Sequence, residues 1–567
     1  MNRKTCGRGS KALICFIVVI GFLTAAHGEM ADTRHNLSAS GPGTVKAAGS
    51  TEICAFCHAP HPVTTVPGLW SRQQALVTYN LYSSSTLEAT LKQPTGSSRM
   101  CLSCHDGLTA PAVSGVGAAG RMSPGRATGR AVIGTDLSDD HPISFVYDAA
   151  LALSQGELAD PKVLRRKLPL DNTQQLQCAS CHDPHDDRYR YFLRMDDRDG
   201  ALCSACHIPK NWPSSAHATS PATWRGAGPN PWPESPYTTV AENSCQSCHR
   251  SHAAPHPARL LSAEQERAVC LVCHNGNVAT TNLEPEFLKF SAHPVTGADW
   301  IHDPRENPTT MRRHSTCTDC HNPHQSRTKS AGQATSPASV RGVSGVNLAG
   351  LAVREAAYEY EICLRCHGIR NQTGLGVVRL DGNRNVRLSI DPSNPSYHPV
   401  AAVGRNRAIT GFEPGYSTAS IISCLDCHNN DEWSPTDTKP RGPHGSRFAP
   451  ILEREYDSND PTVESFQTYG LCYKCHNRHF LMSDLSRSFS HKVHVGDQQA
   501  PCAVCHDAHG SRHNPGLINF MLRDRNGKVV VTPSQQQGRL EYIALGTGRS
   551  QCYLQCHGRN HEPGTYP

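Results

Sequence analysis

Hydrophobic positions in this chain come in short bursts rather than long stripes. One apolar run, Ala12 to Ala26, follows the basic residues Arg3, Lys4, Arg8 and Lys11 and leads to Ala26-His27-Gly28. That layout reads as a secretory signal peptide over residues 1–28. The run is short for a bilayer span, and no later stretch is a better candidate. Apolar spacing predicts helices over Leu260–Val269 and Gly350–Ile362. Val377–Ile390, with Asp381-Gly382-Asn383 inside it, reads as a hairpin. Asn526-Gly527 before Lys528–Val531 reads as a second. Residues 106–135 and 208–236 read as surface loops rich in Pro and Gly. The rest predicts irregular backbone.

Composition sharpens this. Of 567 residues, 37% are hydrophobic and 6% aromatic, with 45 Gly and 40 Pro. Such a chain is short of apolar side chains for an ordinary core. The cysteines show what could replace them. There are 26, and Cys6 and Cys15 lie in the leader. The other 24 form twelve pairs, each followed by histidine: Cys54/Cys57/His58, Cys101/Cys104/His105, Cys178/Cys181/His182, Cys203/Cys206/His207, Cys245/Cys248/His249, Cys270/Cys273/His274, Cys317/Cys320/His321, Cys363/Cys366/His367, Cys424/Cys427/His428, Cys472/Cys475/His476, Cys502/Cys505/His506 and Cys552/Cys556/His557. Eleven read Cys-x-x-Cys-His, and the last has one extra residue between its cysteines.

Cys-x-x-Cys-His reads as a c-type haem attachment site. Two thiols add to the vinyl groups, and the adjacent histidine takes an axial position on iron. A disulfide framework does not explain the histidines, and structural zinc needs no adjacent histidine. We therefore expect twelve covalent haems and no cysteine left over. The fold class expected is a multihaem cytochrome c: mostly irregular loops with short α-helices and a few β-hairpins, wrapped around a chain of twelve covalent haems. Cys at i and i+3 and His at i+4 share one helical face, so short helices should carry many of the motifs. Without haem the chain should be largely unfolded.

The motifs fall into six haem-pair repeats, at approximately 50–145, 175–220, 240–300, 314–400, 420–495 and 498–567. The first motif of most repeats carries a second histidine: His61, His185, His252, His324 and His509, with His444 in GPHG as a displaced equivalent. After most second motifs a more distant histidine follows: His141, His293 and His398 before proline, His217, and His491 or His494. With His35 near the start, the candidate distal iron ligands are His35, His61, His141, His185, His217, His252, His293, His324, His398, His444, His494 and His509. His491, His479 and His561 compete for places; His256, His302, His314 and His513 are reserves. Bis-histidine ligation gives lower potentials than His/Met ligation.

The formal charge of +6 falls to +2 once the four basic residues of the leader are removed. Each ferric bis-histidine haem with two ionised propionates adds roughly −1, so the holoprotein carries about −10. A nucleic-acid partner is excluded on that ground.

The stretches CAFCHAPH (54–61), DHPISF (140–145), CASCHDPH (178–185), NSCQSCHRSH (243–252), CTDCHNPH (317–324), GPHG (442–445) and CAVCHDAHG (502–510) resemble the multihaem c-type cytochromes of the doubled CxxCH motif, abundant in metal-respiring bacteria such as the Geobacter group. The resemblance implies haem c, bis-histidine iron, and alternating parallel and T-shaped haem stacking. It implies an exported protein (periplasmic, outer-membrane-associated or extracellular) carrying electrons in anaerobic respiration. Partners would be other cytochromes, quinol-linked donors, outer-membrane conduits or extracellular acceptors. A homo-polymer is a further option, in which an N-terminal histidine ligates a haem of the next subunit. No catalytic residue is assigned. The rival readings are a reductase for nitrite or a similar small oxyanion, with its open iron at the expanded motif, and a filament or matrix cytochrome.

Overall fold

The structure, a computed structural model, describes residues 30–47, 49–58, 77–109, 125–164, 167–295, 301–327, 338–369, 376–407, 409–434, 439–483, 489–546 and 549–566. The signal-peptide reading and His61 fall outside them. The chain forms two compact units, one of residues 1–210 with 242–262, the other of 211–241 with 263–567. The third haem-pair repeat is thereby divided: Cys245, Cys248 and His249 belong to the first unit, Cys270, Cys273 and His274 to the second.

Regular elements are short. The longest helices are Gly96–His105 and Glu359–His367, and each ends on the histidine of an attachment motif. The second starts at a cap in which Glu361 accepts from the Ala357 and Tyr358 amides at 2.7 and 3.2 Å, satisfying donors that a helix start leaves open.

Three sequence expectations need correction. The helix expected from Leu260 begins only at Glu266. Arg259 and Leu260 take positive φ, and this turn aims the Arg259 carbonyl at His249 Nδ1, 2.8 Å away. The helix expected from Gly350 begins at Glu359. Gly350, at φ +80°, instead turns a hairpin between Gly345–Val346 and Ala352–Val353. Val377–Ile390 is not a hairpin. Val378–Arg379 pairs with Met521–Arg523, because that partner brings buried Phe520 and Met521. Asn385 caps a short helix, Val386–Ser389, through the Arg387 amide at 3.1 Å. The turn at Gly527 does form, at φ +80°.

Apolar clusters are small and dispersed. In the first unit Phe145, Tyr147, Leu164, Leu168 and Leu176 pack together. In the second, Ala503, Val504, Phe520, Met521, Val530, Val531 and Leu554 form one cluster.

A two-stranded ladder recurs in the second unit. Ser291–Ala292 pairs antiparallel with Gly445–Ser446, and Ser396–Tyr397 with Gly510–Ser511. Each ladder sets a histidine that precedes proline (His293, His398) beside one that precedes glycine (His444, His509). The glycines are steric necessities. A Cβ on Gly445 would sit 1.7 Å from the Glu286 carbonyl oxygen, and one on Gly510 2.1 Å from that of Ser389.

Candidate haem-binding sites

The regular motifs sit on helical turns. The backbone N–H of His58, His182, His207, His249, His274, His321, His428, His476 and His506 donates to the carbonyl of its own first cysteine at 2.8–3.0 Å. His105 and His367 close helices of their own. That turn brings both thiols and the imidazole to one side, as a rigid porphyrin requires.

The expectation that α-helices carry the motifs holds for some and needs correction for others. Cys101 and Cys104 both lie inside the helix Gly96–His105, and the Cys104 thiol, half-buried, is close enough to Cys101 to raise its pKa. The two cysteines of the third, seventh, eighth and eleventh motifs are likewise inside α-helices. Cys248 is not. It stands just past a 3-10 turn, Ser244–Ser247, and its N–H donates to Cys245 O at 3.1 Å, the same carbonyl that accepts from His249. The Cys248 carbonyl accepts from the Ser262 amide at 2.9 Å, as that of Cys181 accepts from Arg194 at 2.9 Å and that of Cys505 from Asn519 at 2.8 Å. Cys57 and Cys427 close 3-10 turns in the same way. Cys206, Cys273 and Cys475 follow the ends of short α-helices, Ala201–Ser204, Glu266–Leu271 and Gly470–Tyr473.

Opposite ten of the motif histidines stands a second imidazole. The pairs are His58/His185, His105/His35, His207/His141 and His182/His252 in the first unit. In the second they are His274/His217, His367/His293, His321/His444, His476/His398, His428/His509 and His506/His491. Ring centroids lie 6.1–6.5 Å apart throughout. An imidazole nitrogen bonds a metal at about 2 Å and the ring centre lies roughly 1.1 Å behind it, so two axial imidazoles on one iron have centroids about 6.3 Å apart. The pairs have the spacing of a bis-histidine haem.

The second ring nitrogens agree. A carbonyl only accepts, so a ring nitrogen facing one carries the proton and leaves the other nitrogen's lone pair for iron. His105 Nδ1 donates to Ala131 O at 2.6 Å, His182 to Tyr191 O at 2.8 Å, and His506 to Gly516 O at 2.7 Å. Among the facing histidines, His35 donates to Pro184 O, His217 to Pro323 O and His293 to Pro443 O. Each of these prolines immediately precedes a histidine of the Pro-His element. That element thus offers one imidazole and orients another. Burial first, and the facing imidazole second, push His274, His367, His398, His428 and His491 down to about 4 and His444 to about 3. They are neutral at pH 7, the form that binds metal.

The pairing crosses repeats. His185, beside the third motif, faces His58 of the first, and His252, beside the fifth, faces His182 of the third. His444 and His509 reach back in the same way to the seventh and ninth motifs. His141, His293 and His398 reach forward to the fourth, eighth and tenth.

The thiols form a series in sequence order. In the first unit Cys57 lies within electrostatic range of Cys101, Cys101 donates to Cys178, Cys181 neighbours Cys203 and Cys206, and Cys203 donates to Cys245. In the second unit Cys270 donates to Cys317, Cys320 neighbours Cys363 and Cys366, and Cys363 donates to Cys424. Cys427 then neighbours Cys475, Cys472 donates to Cys502, and Cys505 neighbours Cys552 and Cys556.

Some candidates fall elsewhere. His491, not His494, faces His506; His494 stacks on Phe489 and lies 3.4 Å from the Tyr566 hydroxyl. His35 meets a motif of its own chain. The His324 ring lies edge-on to Trp212. The expanded motif departs most. Cys552 and Cys556 lie on a strand, Arg549–Cys556, in a three-stranded antiparallel sheet. His557, at φ +48°, directs Nε2 to Asp460 Oδ1 at 2.6 Å. A cavity of about 350 Å³ opens there, lined by Asp460, Lys528, Thr532, Gln555 and His557 among others. Asp140 was missed by the sequence reading. Its buried carboxylate accepts from His252 Nδ1 at 3.0 Å, and the only trace in the sequence is its place before His141-Pro142.

Sites of this kind define a multihaem c-type cytochrome with covalent haem, and comparison with known proteins bears that out. Residues 171–211 match the doubled CXXCH motif family, and residues 237–390 match the family described as outer membrane cytochrome MtrC/MtrF-like, domains II/IV. The multiheme cytochrome MtrA of Shewanella baltica (strain OS185) is 27% identical over 166 residues, covering 27% of this chain and 38% of that relative. The chain thus spans well under half of that relative's length. Among the described residues no helix is long and apolar enough to cross a membrane.

Proposed function

We propose that this chain is an exported dodecahaem electron conduit, passing electrons between redox partners and acceptors outside the cytoplasm through bis-histidine haems. The observation that carries the reading is the ordered series of neighbouring cysteines. Each sulfur becomes a thioether bonded directly to a porphyrin edge. Neighbouring sulfurs would therefore place successive porphyrins next to one another, in the order one to five in the first unit and six to twelve in the second. The protein's share is to insulate, to space, and to tune potential through axial ligands and burial. The partners fitting this role are other cytochromes, quinol-linked donors and outer-membrane conduits; the matching family is described as an outer membrane cytochrome.

The test is carbon monoxide binding to the dithionite-reduced holoprotein, read beside its mass. Twelve haems, with at least ten refusing carbon monoxide, are expected. A large high-spin, carbon monoxide-binding fraction would refute the conduit.

One observation favours a second reading for one site. His557 faces a carboxylate and a cavity rather than an imidazole. A haem there would have an open position, as reduction of a small oxyanion requires. Reoxidation of the reduced protein by nitrite, lost on Cys556→Ala, would support it.

A further inference from the structure

A second cluster of metal-binding side chains lies apart from the haem histidine pairs. His302, Glu306, His314 and Asp319 offer one donor atom each, and these atoms all lie within 4.8 Å of one another. His302 Nδ1 lies 2.9 Å from Glu306 Oε1 and 3.1 Å from Asp319 Oδ1. His314 Nε2 lies 3.4 and 3.5 Å from the same two oxygens. Donors bound to one metal at about 2.1 Å stand roughly 3.0 Å apart at right angles and about 3.4 Å apart in a tetrahedron. The observed spacings fall in that range.

Every donor is prepared for a cation. The His302 side chain is 10% exposed, and its Nδ1 is buried yet makes no hydrogen bond despite two oxygens within reach. His314 Nδ1 donates to the Arg312 carbonyl at 2.8 Å, so its Nε2 lone pair points at carboxylate oxygens. Lone pairs facing lone pairs in a buried site repel unless a proton or a cation lies between them. Asp319 Oδ2 is occupied by the Thr316 amide and hydroxyl at 2.7 and 3.0 Å, which leaves Oδ1 for the cluster. Buried Glu266 braces both ligand segments, accepting from the His302 amide at 3.0 Å and the Thr318 amide at 2.9 Å. Arg365 donates to Glu306 Oε1 at 3.1 Å and Asp319 Oδ1 at 3.2 Å, in the manner of an outer-shell partner that holds ligating carboxylates. Its single charge offsets one of the two carboxylates and leaves the other.

We propose that His302, Glu306, His314 and Asp319 bind one divalent transition-metal ion that is not a haem iron. Two imidazoles and two carboxylates suit zinc, manganese or ferrous iron better than calcium. Asp319 lies between Cys317 and Cys320, and Arg365 between Cys363 and Cys366. The ion therefore ties the loop 302–314 to two attachment motifs and places positive charge beside the seventh and eighth haems. Its removal lowers their potentials.

The experiment uses holoprotein stripped with a chelator and titrated with zinc ion by calorimetry, with metal content measured by elemental analysis. One zinc per chain is expected. Glu306→Gln and His314→Gln should each weaken it by about a hundredfold or more, with haem content and the Soret spectrum unchanged. In wild type, zinc should raise the midpoint of the component assigned to the seventh or eighth haem. Failure of wild-type holoprotein to take up zinc overturns the proposal whatever the variants do. Uptake that persists unchanged in both folded variants overturns it equally, because the ion would then sit elsewhere. Neither outcome bears on haem ligation, so the conduit stands or falls separately.

Discussion

Asp140→Asn replaces one buried carboxylate oxygen by an amide nitrogen and is nearly isosteric. The amide oxygen can still accept from His252 Nδ1 and from the Ala253 amide, now 3.0 and 3.2 Å from Oδ1. What changes is charge. Asp140 is 4% exposed, and its oxygen reaches an iron between His252 and His182 through one imidazole. Adding the ring width and the iron–nitrogen bond to that 3.0 Å contact puts the charge roughly 7 Å from the metal. At an effective dielectric constant of about 20, a unit charge at that distance is worth about 2.4 kcal/mol. A tenfold change in equilibrium constant is about 59 mV for one electron, so this corresponds to about 100 mV. The carboxylate stabilises the ferric state, whose charge is more positive, so removing it raises the potential. One component of a spectroelectrochemical titration should move up by about 100 mV while the rest stay in place. A shift downward, or none above about 20 mV, would refute both the axial role of His252 and the charge argument.

Other expectations follow from the same geometry. His444→Ala should create one high-spin haem that binds carbon monoxide after reduction, read as one equivalent in the Soret difference spectrum. Gly510→Ala forces a Cβ to within 2.1 Å of Ser389 O, displacing the ladder that carries both His398 and His509, so two equivalents should appear. Leu164 is fully buried, and Leu164→Ala should cost about 2–4 kcal/mol in denaturant unfolding; a loss under about 1 kcal/mol would mean haem rather than Leu164 holds that region. Cys552→Ala with Cys556→Ala should lower the mass of the purified protein by one haem, and an unchanged mass would show that the expanded motif is not an attachment site.

What the amino-acid sequence makes legible is the chemistry fixed by covalent spacing. Cys178, Cys181 and His182 must meet one porphyrin, so their roles are local and visible. The local backbone was less so: Cys104 sits inside a helix while Cys248, at the same place in its motif, ends a 3-10 turn. That His185 and His252 are ligand material was visible too, from their recurring contexts. Which proximal histidine each faces was not, because the choice is made by ladders such as Ser396–Tyr397 with Gly510–Ser511, joining distant segments. Asp140 escaped notice because a single acid before His-Pro has no period and no motif. The strand at Val378–Arg379 looked like half of a hairpin because local turn residues were available, but the apolar surface of Phe520 and Met521 outweighed them. Gly350 lay inside an apolar spacing that suits a helix, yet its positive φ marks a turn.

The crossing of ligands between repeats bears on how the molecule is assembled. A chain threaded out of the cell N-terminus first presents the first attachment site long before the third. The histidine facing His58 is His185, so a haem at Cys54 and Cys57 would wait, five-coordinate, until the third motif has emerged. The same delay recurs at His321 and His428, which face His444 and His509. At those motifs a newly attached haem would be open to oxygen and to small ligands until a later segment arrives, whereas His105, His207, His274, His367, His476 and His506 face histidines that precede them in the chain. Truncations that stop between repeats should therefore leave reactive haems behind, and maturation would run as an interlocked series within each unit rather than repeat by repeat.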